Sequence, residues 1–133
     1  MINSPVPPAI KLARDLANEL CAVVPGPFSV NEDHGSVVIT EGSLTATTPV
    51  GDLLDQHGTG PTVNEVETAA WAVLSAVQDA VTEHLTDPWP LGDHRLALPD
   101  VKLEGGILRA WYGDCDSPLL ELGPIVVELP PRD

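Results

Sequence analysis

Positive charge is scarce in this sequence: six Lys and Arg residues stand against twenty Asp and Glu, a formal net charge of -14. Between Asp15 and Asp93 lie thirteen carboxylates and not one Lys or Arg; the cations are Lys11 and Arg14 near the start and Arg95, Lys102, Arg109 and Arg132 near the end. Affinity for phosphate backbones and anionic membranes comes largely from Lys and Arg neutralising fixed negative charge, so most of this surface repels both. That argues against direct nucleic-acid binding. Three accounts of the acidity remain: steering toward a basic protein partner, mimicry of nucleic acid at such a partner's site, or solubility alone.

Cysteine is almost absent. Cys21 and Cys115 are too few for a disulfide framework and wrongly spaced for a zinc site, so both read as free thiols. Long apolar runs are missing as well: stretches such as Ala69–Leu74 fall far short of a membrane span. The start also lacks the basic and apolar regions of a signal peptide, which makes the expected location cytoplasmic. The length, 133 residues, suits one domain with one core, and the 14 prolines and 11 glycines punctuate apolar runs rather than forming a tract. The expectation is a single domain over residues 1–133, frayed at 1–6 and 130–133.

Between the punctuation marks the periodicity is legible. Pro7-Pro8 can open a helix to about Val23, with Ala9, Leu12, Ala13, Leu16, Leu20 and Val23 on one face. Phe28–Val30, Val37–Ile39 and Leu44–Ala46 read as an antiparallel meander, followed by an irregular stretch from Pro49 to Pro61. Thr62 and Glu65 form a T-x-x-E capping box opening a second helix to about Leu85, whose Val66, Ala69, Ala70, Val73, Val77, Ala80 and Val81 face the core. Trp71 projects instead with Ser75, Gln78 and Thr82, so either a partner or a loop must cover it; the Asp87–Gly92 segment carrying Trp89 is the candidate loop. Short strands are then expected at Arg95–Leu98, Val101–Glu104, Ile107–Tyr112, Leu119–Leu122 and Ile125–Leu129. Gly105-Gly106 is a two-residue hairpin turn, which sets Leu103 opposite Leu108 and Val101 opposite Ala110 on the core face. Lys102, Glu104, Arg109 and Trp111 then fall on the other face, which is either exposed or an interface.

Few residues are arranged for chemistry. His34, His57, His84 and His94 make no metal-binding spacing, and Asp114-Cys115-Asp116 lacks the glycine and distal glutamate of a calcium loop. Carboxylates beside Cys115 disfavour its thiolate. Gly58-Thr59-Gly60, near Asp52, Asp55 and His57, lacks the Gly-Lys-Ser/Thr ending of a phosphate loop; those three residues form only a speculative polar site. No cofactor or metal is implied. The aromatic residues are more informative: of five, three are tryptophans, and Trp111 beside Arg109 is a pairing common at protein interfaces, although a neighbouring strand or the chain's tail could equally cover it.

Asp87-Pro88-Trp89-Pro90, after an alanine-rich helix, and Leu108–Asp114, before an apolar strand, resemble short acidic actinobacterial proteins of unknown function. That resemblance covers about the second half of the chain and implies no activity. The element order is similar to that of type III secretion chaperones and related adaptors, which implies an acidic, often dimeric binding protein by analogy of layout.

These readings give an α+β fold, order α-β-β-β-α-β-β-β, with about six antiparallel strands, in one sheet or in two connected halves, and two helices on one face. The expected function is a non-catalytic protein-binding adaptor or chaperone-like protein, homodimeric through the outward hairpin face, with Trp71, Trp89, Lys102, Arg109 and Trp111 as partner-binding residues. The alternatives are a nucleic-acid mimic or immunity-type inhibitor of a basic partner, and a small enzyme using Asp52, Asp55 and His57.

Overall fold

A computed structural model describes residues 8–50, 62–85, 89–90, 97–114 and 116–127. The ends at 1–6 and 130–133, the sites of Asp52, Asp55, His57, His94 and Cys115, and most of the Asp87–Gly92 segment fall outside that set.

Helix α1 spans Pro8–Cys21 and buries Leu12, Ala13, Leu16, Ala17 and Leu20. It stops two residues before the expected Val23. Leu20 O accepts from Val23 N at 3.0 Å and Val24 N at 2.9 Å, a closing turn placed where Pro25 disfavours helical geometry for the residue before it.

Strands β1 (Ser29–Asp33), β2 (Ser36–Glu41) and β3 (Leu44–Pro49) form an antiparallel sheet in sequence order. Two-residue turns join them: His34-Gly35, with φ of 50° and 80°, and Gly42-Ser43, with Gly42 at 56°. Such turns match the twist of paired strands and require these positive angles. Alternation puts Val30, Val37 and Ile39 in the core, while Ser29, Asn31, Val38, Thr40, Thr45 and Thr47 point away.

Helix α2 spans Val63–Leu85 and starts at its capping box: Glu65 N donates to Thr62 Oγ1 at 3.1 Å, and Thr62 N donates to Glu65 Oε1 at 2.9 Å. Thr62→Ala is therefore expected to destabilise the protein by about 1 kcal/mol, read as a lower midpoint in urea. An unchanged midpoint would show that the cap contributes nothing. The buried face is the expected one, with Leu74 and Gln78 added.

The second sheet contains β4 (Pro99–Glu104), β5 (Ile107–Gly113), β6 (Pro118–Glu121) and β7 (Ile125–Val126). Its hairpin register is the one the Gly-Gly turn dictates, with Glu104 opposite Ile107, Leu103 opposite Leu108 and Val101 opposite Ala110. The expected strand at Arg95–Leu98 is corrected: Ala97 and Leu98 precede β4, which begins at Pro99, and Arg95 and Leu96 lie outside the described residues. Gly113 N donates to Leu98 O at 2.9 Å, closing the ladder at that point. The last apolar segment divides at Leu122–Pro124, and both halves pair with the same side of β5.

The helices join the sheets. Helix α1 packs on β1 and β2 and touches β7, whereas α2 lies against β4 and β3 and reaches β2 and β5. One cluster of buried side chains draws on both helices and both sheets. Tyr112, wholly buried, donates its hydroxyl to Leu74 O at 2.7 Å. Burial, and secondarily the charge of Asp79, pushes its pKa upward, so the phenol stays neutral. The architecture is α+β, with two helices and two antiparallel sheets. Among the described residues no helix is long and apolar enough to cross a membrane.

Candidate functional site

The outer face of the second sheet gathers the most unusual surface residues. Because β5 is central, the register fixes its composition: Asp100, Lys102 and Glu104 from β4, Ile107, Arg109 and Trp111 from β5, Leu119 and Glu121 from β6, and Val126 from β7. Leu98 has the same alternation, one residue before β4. Four of the five exposed large apolar side chains described therefore share one face: Leu98 at 66% exposure, Ile107 at 38%, Leu119 at 44% and Val126 at 58%. Ile107 and Val126 are cross-strand neighbours.

The charges on this face compensate one another. Lys102 Nζ lies 3.0 Å from Glu104 Oε2, and Arg109 donates to Glu121 Oε2 at 3.0 Å. Exposed pairs of this kind add little stability, but they leave the face nearly neutral on a strongly acidic chain. The Arg109 guanidinium also lies 6.0 Å from the Trp111 ring centroid, at the outer limit of a cation–π contact.

The structure brings Lys102, Arg109 and Trp111 together, as the hairpin register requires, but it does not expose the tryptophan. Trp111 is only 4% exposed in the single chain, and its Nε1 has no acceptor among the described residues. Of the two accounts that the sequence left open, burial favours the one in which the chain itself covers the ring. Trp71 and Trp89 lie elsewhere. Trp71 remains 48% exposed on α2. Trp89 does fold back, but onto the core rather than over Trp71; its ring meets Tyr112 edge-on at 5.3 Å and its backbone N–H donates to Thr82 Oγ1 at 3.2 Å. The side of α2 read as polar is thus partly an interior seam, where Gln78 is buried and donates to Ala97 O.

Sequence reasoning missed Leu98, Leu119 and Val126 as members of the face, because three separate segments supply them and no local pattern links them. It also missed Glu67, whose carboxylate leaves α2 to accept from Leu103 N at 2.8 Å. Among the described residues no three His, Cys, Asp or Glu side chains converge to hold a metal ion. The polar set Asp52, Asp55 and His57 lies outside the described residues. The chain matches no protein-family model, no curated protein and no solved structure.

Proposed function

We propose that this chain is a non-catalytic, cytoplasmic protein-binding adaptor that associates through the outer face of its second sheet, first of all with a second copy of itself. The observation carrying this reading is the sharing of that one face by Leu98, Ile107, Leu119 and Val126 around a neutralised Arg109. Apolar side chains collected on one face mark protein-binding surfaces, whereas scattered ones do not. A two-fold arrangement would set each patch against its mate, with the paired charges of Arg109 and Glu121 between its apolar ends.

Light scattering tests it. Wild type is expected to dimerise at about tens of micromolar, the range in which a modest interface fills. Leu119→Ser combined with Val126→Ser is expected to give a monomer with an unchanged circular dichroism spectrum. A wild-type chain that is monomeric at those concentrations would sink the self-association. The acidic stretch from Asp15 to Asp93 favours a second reading, a mimic of nucleic acid at a basic partner's site; such a complex would weaken steeply with salt.

A further inference from the structure

Among the described residues the two sheets present four edges, and at two of them other parts of the chain occupy the edge backbone. A two-residue turn makes its flanking residues a hydrogen-bonded pair, so bonding alternates from there and the N–H groups aimed away from each partner strand can be read off. At β4 those donors are Val101 and Leu103, and both are satisfied by carboxylates: Val101 N by Asp100 Oδ1 at 2.8 Å and Leu103 N by Glu67 Oε2 at 2.8 Å. The β6–β7 edge is clamped by α1, with Gly123 N on Glu19 Oε1 at 2.6 Å and Lys11 Nζ on Val126 O at 3.1 Å. At β1 the outward N–H groups of Val30 and Glu32 also have no acceptor among the described residues, but α1 packs on this strand, Val30 is buried, and the edge carries Glu32 and Asp33, charges of the kind that deter strand addition.

Strand β3 has none of these devices. The Gly42-Ser43 turn pairs Glu41 with Leu44, so Leu44, Ala46 and Thr48 bond to β2 while the N–H groups of Thr45 and Thr47 face outward. Neither has an acceptor among the described residues, and both residues are exposed. The strand Leu44-Thr45-Ala46-Thr47-Thr48-Pro49 is uncharged and pairs with β2 in unbroken register. Pro49, which has no N–H, ends the row.

We infer that the open edge of β3 binds an extended, Lys- or Arg-bearing segment of a protein partner as an added strand. The backbone geometry supplies the docking: Thr45 and Thr47 each offer a donor and an acceptor, the pattern by which an antiparallel strand joins a sheet. Charge selects the occupant. Strand β3 sits within the stretch from Asp15 to Asp93 that has no Lys or Arg, and α2, packed behind it, contributes Glu65, Glu67, Asp79 and Glu83. A basic strand is attracted to these surroundings, whereas a second copy brings another net charge of -14 against the first. The inference stands on a different surface from the sheet-two face, so a chain inert at that face can still pass this test.

The probe is a fluorescein-labelled heptapeptide of alternating lysine and valine, blocked at both ends, with a glutamate–valine peptide as control. The basic peptide is expected to bind at least about tenfold tighter in anisotropy, a clear separation of dissociation constants. On saturation the Thr45 and Thr47 amides should gain protection from hydrogen exchange, while Val101 and Leu103 stay as they were. Thr47→Pro removes an outward donor and leaves the β2 ladder intact, so it should weaken binding about tenfold or more with the fold retained. If that variant does not fold, the wild-type exchange pattern decides. Equal binding of the acidic peptide, no binding of either, protection elsewhere, or concentration-dependent protection of Thr45 and Thr47 without peptide would each overturn the inference, the last by assigning the edge to a second copy. The Leu119→Ser, Val126→Ser chain should bind the peptide like wild type.

Discussion

Val73→Asp is expected to leave no cooperatively folded protein. Val73 is wholly buried at the middle of the α2 core face, with Val66, Ala69, Ala70 and Val77 as its helical neighbours. An aspartate there must either ionise in an apolar interior or stay protonated without a planned acceptor, and the cavity left by the valine adds to the cost. Buried unpaired charge belongs to the short list of mechanisms that exceed about 4 kcal/mol, a large part of the stability of a chain this size. The measurement is far-ultraviolet circular dichroism with thermal melting. A sharp transition near that of wild type would mean that α2 faces the core differently.

Gly113→Ala is the second large effect. Gly113 has φ of 110° at the irregularity where β5 changes register against β6, and its N–H holds Leu98 O. A Cβ at that position would lie 2.9 Å from Leu119 N and 3.4 Å from Leu119 Cβ, backbone and near-backbone atoms that cannot swing aside. The substitution combines a dihedral that L-residues avoid with a steric clash, so a loss of about 3 kcal/mol is expected. Gly26→Ala is the control, since a Cβ there meets nothing within 4 Å and should leave the melting temperature nearly unchanged. Equal behaviour of the two variants would refute the role given to Gly113.

What was legible in the sequence is what neighbours decide. Thr62 and Glu65 announce the start of α2 because a cap is a contact over three residues. Gly105-Gly106 fixes six cross-strand pairs because a two-residue turn leaves no freedom of register. What was not legible depends on distant segments. Trp111 alternates with Leu108 and Ala110 and so should face outward, yet it is buried, because burial depends on what covers a face and not on alternation. Gln78 and Thr82 read as solvent-facing on the helix, but Ala97 and Trp89 return to meet them. The open row at Thr45 and Thr47 needed both the register and knowledge of what packs against the other edges. A strand's composition says that it pairs, not on which side it remains unpaired.

The clamp between α1 and the last strand bears on how the chain is made. Lys11 waits for a carbonyl 115 residues downstream and Glu19 for an amide 104 residues downstream. Synthesis from the N-terminus takes on the order of ten seconds to cover that interval. The first meander and its helix can associate long before Gly123 and Val126 emerge, so Lys11 and Glu19 spend that time without these partners. A product truncated before Gly123 never gains them, and Leu108 lacks its pairing partner Ile125. Such a fragment is expected to leave apolar surface of β5 uncovered, so the last residues to join the sheet complete its core.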